Sequence, residues 1–256
     1  MWSPRGGRRS PRPADLSDFS GRVALVTGAS RGLGRAVAAA LATAGAHVVA
    51  VARSVADLET LDDEIQGAGG SATLVPLDLR DWAAIDRLGA AIAERWQRLD
   101  ILVGNAAILG AITPVAHLDP ELWHQVIGTN LSANWHLIRA CDPLLRAAEA
   151  GRAVFITCRQ PRQAQPFWGA YAASKAALET LALTYAEELR PTRARANLFD
   201  PGPMRTRLRA GAMPGAGPHD LPTPQSVVPE VLRLLSPEFV DTGILVSLGS
   251  RPSPDA

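Results

Sequence analysis

The chain has 256 residues, 47% of them apolar and 20% charged, with a formal net charge of +1. That length fits one large α/β domain with a sizeable core. The near-neutral balance argues against a general electrostatic role on nucleic acid or membranes, and no apolar run nears the ~18 residues of a membrane span.

Residues 1–18 are rich in Pro, Arg, Gly and Ser. Arg5, Arg8, Arg9 and Arg12 stand against Asp15 and Asp18, which gives +2 locally and leaves −1 for the rest. The stretch lacks the apolar core of a signal peptide and reads as a disordered arm. Pro4, Pro11 and Pro13 would interrupt the amphipathic helix of a transit peptide. The domain is expected from about residue 19 to 250, with 251–256 a C-terminal tail.

Short apolar runs then alternate with helical segments. Val23–Thr27, His47–Ala52, Ala72–Leu77, Ile101–Gly104, Ala153–Thr157, Arg195–Phe199 and Gly243–Leu248 read as strands. Helices are predicted near Leu33–Ala44, Val55–Gln66, Asp81–Arg98, Pro120–Ala140 and Pro224–Leu235, with Pro143 a kink or a stop. A further helix runs from Ala170 to Ala186, with an apolar stripe at Ala172, Ala176, Leu183 and Ala186. Continuous apolar strands between helices signal a parallel sheet covered on both faces, a Rossmann-type doubly wound α/β fold of about seven strands. Ligands in such sheets bind beyond the carboxyl ends of the strands.

The first of those ends carries Thr27-Gly28-Ala29-Ser30-Arg31-Gly32-Leu33-Gly34. Gly28 permits a tight turn, Gly32 lets a helix start meet a pyrophosphate, and Gly34 lets helix and strand pack closely. The second strand ends Ala52-Arg53, without the acid that would hold a ribose 2′-hydroxyl. Arg53 and Arg31 suit a 2′-phosphate instead, which points to NADP(H) rather than NAD(H).

Tyr171-Ala172-Ala173-Ser174-Lys175 lies on the helix after the fifth strand. Residues four apart share a helix face, so a phenol and an ammonium sit together. Lys175 is the chain's only lysine. A compact ammonium can shift its pKa where a guanidinium cannot.

In this order the motifs resemble the short-chain dehydrogenase/reductase family in its single-domain form, over about residues 20 to 249. The motifs are Thr27 to Gly34, Asp78-Leu79, Asn105-Ala106-Ala107, Asn130, Tyr171 to Lys175, and Pro201-Gly202 with Thr206. The resemblance implies hydride transfer between a nicotinamide and a carbonyl/alcohol pair. Tyr171 is then the acid/base, and Lys175 binds the nicotinamide ribose and, with the cationic oxidised ring, favours the phenolate. Asn130 holds a water of the proton relay. Asp78 and Leu79 meet the adenine, and Asn105 and Ala106 lie beside the cofactor. Pro201, Gly202, Met204 and Thr206 meet the nicotinamide carboxamide. The family's Asn-Asn-Ala-Gly is here Gly104-Asn105-Ala106-Ala107. A homo-oligomer, dimer or tetramer, is also implied.

One position departs. Thirteen residues before Tyr171 the family places a serine that donates to the substrate oxygen; this chain has Cys158. A thiol is a much weaker donor. Three readings compete: Thr157 swings in to replace the serine, against the strand alternation that points it away; Cys158 itself suffices for an easy substrate; or the protein binds cofactor with little turnover. Arg159, Gln160, Arg162, Gln163 and Gln165 follow where small and apolar residues are usual. Lining the pocket, they would suit a polar or anionic substrate; otherwise they face solvent. Residues 203–224 read as a flap over the substrate. The five histidines show no metal-ligand spacing, and no metal site is expected. Trp123 and Trp135 read as core or subunit interface. Two cysteines, too few for a disulfide framework, fit a reducing, cytoplasmic setting.

Overall fold

The computed structural model describes residues 18–213, 215 and 221–248. The predicted arm, apart from Asp18, the C-terminal tail and part of the predicted flap lie outside those residues.

Seven parallel strands form one sheet in the order β3-β2-β1-β4-β5-β6-β7. They are β1 (Val23–Thr27), β2 (His47–Ala52), β3 (Ser71–Pro76), β4 (Ile101–Gly104), β5 (Arg152–Ile156), β6 (Arg195–Asp200) and β7 (Leu245–Ser247). Alternation along each strand feeds two separate cores. Ala24, Val26, Val48, Ala50, Ile101 and Val103 face one side, with helices α1 (Gly32–Thr43), α2 (Val55–Gly67) and α8 (Pro224–Leu235). Val23, Leu25, Val49, Val51 and Leu102 face the other, with α3 (Trp82–Trp96), α5 (Ala133–Ala147) and α6 (Gly169–Leu189). A strand buried on both faces has no polar side to alternate with, which is why these runs read as continuously apolar. The chain leaves β1 in one direction across the sheet and enters β4 in the other. The crevice at that reversal is where the cavity opens.

Two details differ from expectation. Pro143 does not end the long helix; it lies inside α5, at an exposed position. The interruption comes earlier. Helix α4 (Pro120–Ile127) passes through a π turn, Gly128–Ser132, before α5 begins. The buried face of α6 also differs from the predicted stripe. Ala176 and Leu183 are exposed, and the buried residues are Tyr171, Ser174, Lys175, Leu178, Ala182, Tyr185, Ala186 and Leu189.

Candidate active site

A cavity of about 860 Å³ opens over the carboxyl ends of the central strands. Its floor is tied together by Thr27 at the end of β1. The Thr27 hydroxyl donates to the Val103 carbonyl at 3.1 Å and accepts from the Asn105 and Ala106 amides at 3.0 and 3.2 Å. The Asn105 amide group returns a 2.9 Å bond to the Thr27 carbonyl. Asn105 therefore fastens the fourth strand's exit to the glycine turn.

That turn has no room for side chains. Gly28 has φ +66°, and a Cβ there would lie 2.8 Å from Asn105 Nδ2. A Cβ on Gly34 would stand 2.3 Å from the Gly28 carbonyl oxygen. Helix α1 starts at Gly32 with no side-chain cap and no acid in its first turn, which leaves its amides free for an anion. Gly104 has a similar cause: a Cβ would meet Asn134 Oδ1 at 2.4 Å and the Phe155 ring at 2.5 Å. This packing accounts for glycine where the family pattern has its first Asn.

The cavity is lined at one end by Arg31, Arg53, Asp78 and Leu79. Arg31 and Arg53 are exposed guanidinia. Arg80 donates to both oxygens of Asp78 and holds its carboxyl below the usual range. Gly28, Ser30, Gly32, Leu33, Asn105, Ala106, Pro201, Gly202, Met204 and Thr206 line the stretch between. A Cβ on Gly32 would lie 3.6 Å from Thr206 Cγ2, so the loop after β6 folds back over the start of α1. The glycine cradle, the uncapped helix start and the arginine end together fit a phosphorylated dinucleotide.

At the other end stand Tyr171, Lys175 and Cys158. Tyr171 and Lys175 are 7% and 2% exposed. Lys175 Nζ donates to the Ile156 carbonyl at 2.7 Å. Burial pulls its ammonium down to about 8, against the upward pull of Cys158 and Glu179. The expected phenolate is not what this environment favours. Burial pushes the Tyr171 phenol well above its ordinary 10, with Cys158 and Asp200 adding to it. Burial likewise raises the Cys158 thiol, with Lys175 opposing. The indole of Trp168 packs edge-on to the Tyr171 ring at 5.9 Å.

Thr157 lines the cavity, but its hydroxyl is committed. It donates to Glu179 at 2.7 Å. Of the unusual loop, Arg159 and Gln160 line the cavity, and Gln163 and Gln165 are exposed. Arg162 is exposed too and does not line the cavity. It reaches back to Glu179 on α6 and to Asp200 at the end of β6, whose side chain is 1% exposed. Asp200 also accepts from the Gly202 amide at 3.0 Å and the Ser247 hydroxyl at 3.1 Å. This ion pair was not read from the sequence. The available signal was an acid closing an otherwise apolar strand, directly before Pro201-Gly202.

Asn130 is fully buried beneath the site and does not line the cavity. Its Oδ1 accepts from the Ile108 amide at 2.9 Å, and its Nδ2 donates to the Ile108 carbonyl and to Ser174 Oγ, both at 3.0 Å. Ser174 in turn donates to the Tyr171 carbonyl at 2.8 Å. The Asn130 carbonyl, released by the π turn, accepts from Asn134 Nδ2 at 2.8 Å.

The family profile for short chain dehydrogenase matches residues 22–215. The uncharacterized oxidoreductase YciK of Escherichia coli is 36% identical over 217 residues, 84% of this chain and 86% of its own length. An uncharacterized NAD-dependent oxidoreductase of Mycobacterium tuberculosis is 38% identical, over 71% of this chain and 70% of its own length. An Escherichia coli short-chain dehydrogenase structure solved in complex with NADPH superposes with a TM-score of 0.86 at 34% identity, over 91% of this chain and 99% of its own. A seven-stranded parallel sheet, a glycine cradle at the reversal of strand order and a matched profile over most of the domain have one common reading: the chain belongs to the short-chain dehydrogenase/reductase family of oxidoreductases.

Proposed function

We propose that the protein is an NADP(H)-dependent oxidoreductase that moves hydride between the nicotinamide and the carbon of a carbonyl/alcohol pair, with Tyr171 as acid/base. The observation that carries this reading is the buried Tyr171–Lys175 face of α6 at the end of a cavity whose other end is a glycine cradle. Gly28, Ser30, Gly32, Leu33, Gly34, Asn105 and Ala106 would hold the cofactor's phosphates and ribose. Asp78 and Leu79 flank the adenine, and Pro201, Gly202, Met204 and Thr206 flank the nicotinamide. The bound nicotinamide supplies or accepts the hydride.

The chain's own part is proton chemistry. A phenol held above 10 is fully protonated near neutral pH, the form required to protonate the oxygen of a carbonyl being reduced. Lys175, at about 8, is close enough to neutrality to return a proton to the Tyr171 oxygen once the phenol has given its own to the substrate. Asn130 positions the tyrosine through Ser174 and fixes the Ile108 backbone. With both ends of its amide engaged, a relay water would meet its main-chain carbonyl.

Selectivity for NADP(H) over NAD(H) is supported by Arg31 and Arg53 and by the absence of an acid at the end of β2. Trp123 and Trp135, 37% and 46% exposed, are not core, which supports a homo-oligomer built on the α4–α5 face. Free Cys141 and Cys158 support a reducing, cytoplasmic setting. The test is NADPH consumption against a panel of carbonyl compounds. Tyr171→Phe should abolish turnover and leave NADPH binding intact; surviving turnover would refute the role.

A second reading, a cofactor-binding protein with little turnover, is favoured by one observation: Thr157 is committed to Glu179, so the weak Cys158 donor has no hydroxyl beside it to replace it. Turnover in Cys158→Ser but none in the wild type would establish that reading instead.

A further inference from the structure

Helix α7 (Arg207–Ala212) crosses the substrate end of the cavity. Leu208 and Ala212, one turn apart, pack with Trp168, Tyr171, Leu109 and Cys158. Arg209 lies between them on the chain and also lines the cavity. Its main-chain amide is capped by the Thr206 hydroxyl at 3.2 Å. Its Nε, by contrast, is buried without any hydrogen-bond partner. A buried guanidinium N–H left unpaired is costly, and in a functional cavity the missing partner is a ligand.

The surroundings give the sign of that ligand. Arg159, Arg205 and Arg207 line the same cavity. The ion pairs around the cavity join Arg35 to Glu64, Arg80 to Asp78, and Arg162 to Glu179 and Asp200. Among the described residues none involves Arg159, Arg205, Arg207 or Arg209. Among the described residues the acids lining the cavity are Asp78, beside Arg80, and Asp200, already held by Arg162, the Gly202 amide and Ser247. These four guanidinia, outside any ion pair among the described residues, therefore line the cavity of a chain whose net charge is only +1.

We propose that Arg209 is a specificity residue that grips an anionic group, a carboxylate or phosphate, on the carbonyl substrate presented to Tyr171. The proposal rests on the oxidoreductase reading and names its substrate class. Two anions could use this guanidinium, the substrate's or the cofactor's pyrophosphate. Position favours the substrate. The pyrophosphate cradle is marked by Gly28 to Gly34, which Thr206 overlies, whereas Arg209 lies past Thr206 on α7, the helix whose Leu208 and Ala212 pack with Trp168 and Tyr171. Leu109, Leu208 and Trp168 supply apolar contact for the body of such a molecule.

The test needs no turnover. The NADPH-saturated protein is titrated by calorimetry with para-(hydroxymethyl)benzoate and with benzyl alcohol, which differ by the carboxylate. The carboxylate should bind about ten- to a hundredfold tighter, as a charge-assisted hydrogen bond to a desolvated partner requires. In Arg209→Gln the two alcohols should bind alike, with NADPH affinity held within about twofold; Arg209→Lys, which keeps the charge, should keep part of the preference. Equal binding of the two alcohols to wild type, or no binding of the carboxylate, overturns the proposal. So does a loss of NADPH affinity in Arg209→Gln, which would assign the guanidinium to the cofactor. Failure of the oxidoreductase reading would show separately, as absence of turnover in a protein that still prefers the carboxylate.

Discussion

Replacing Lys175 by methionine should abolish turnover and yet leave the fold as stable as before, or more so. The lysine side chain is among the largest fully buried ones, and burial lowers its pKa from 10.5 to about 8. At ~1.4 kcal/mol per pH unit, that drop is about 3 kcal/mol of desolvation carried at neutral pH. Methionine keeps an unbranched apolar stem and removes the charge. The loss is the 2.7 Å bond to the Ile156 carbonyl. A buried acceptor left unpaired costs about 1–3 kcal/mol. The balance is about 0–2 kcal/mol in favour of the variant.

The pH dependence has a definite sign. The folded pKa lies below the unfolded one, so between about 8 and 10.5 the unfolded chain binds more protons. Stability of the wild type therefore gains from this group as pH rises through that window, and below about 8 the full penalty is present. The variant lacks the contribution, so its advantage should shrink on going from neutral pH to about pH 10. Urea denaturation of both proteins, followed by circular dichroism at each pH, measures this directly. A variant less stable by more than ~2 kcal/mol at neutral pH, or an advantage that does not change with pH, would refute the reasoning.

Two further outcomes follow from the same geometry. Arg53→Ala should weaken NADPH binding by about tenfold and leave NADH binding unchanged, because a guanidinium without another partner serves only the additional phosphate; a parallel loss of both would refute the assignment. Cys158→Ser should raise kcat by about ten- to a thousandfold, the usual worth of one donor to a developing oxyanion; an unchanged rate would mean that Tyr171 alone suffices.

The strands were legible because burial on both faces forces continuous apolar runs, and the observed limits of β1, β2 and β4 match those read from the sequence. The glycine turn was legible because its demands fall on glycine itself: Gly28 and Gly34 are crowded by backbone and Asn105, and Gly32 sits at φ +58°. The orientation of α6 was not. Hydropathy looks for apolar residues inside, and here the buried face carries Ser174 and Lys175 while Ala173, Ala176 and Leu183 face out. A helix whose polar residues are its functional ones inverts the usual signal. Arg162 escaped for a related reason. A loop arginine reads as solvated unless its partners are known, and Glu179 and Asp200 are brought to it by elements 17 and 38 residues away.

The two unusual features of the substrate end bear on each other. Cys158 is a poor donor to the substrate oxygen, and Thr157 is committed elsewhere. An enzyme weak at the reacting oxygen can recover rate by holding a remote part of the substrate, since that binding restricts the approach to the nucleophile and acid. Arg209, lining the same cavity as Trp168 and Tyr171, would provide such a hold on an anion. The benefit of Cys158→Ser should then depend on the substrate. It should be largest for neutral carbonyl compounds, which have only Tyr171 and residue 158 to orient them, and smaller for carboxylated ones already fixed by Arg209. Comparing kcat/KM for benzaldehyde and para-carboxybenzaldehyde in the wild type, Cys158→Ser, Arg209→Gln and the double variant gives the coupling between the two positions. Strict additivity would mean that the serine loss and the arginine cluster are unrelated. A gain from serine that grows once Arg209 is removed would mean that this chain exchanged a grip on the carbonyl oxygen for a grip on a distant charge.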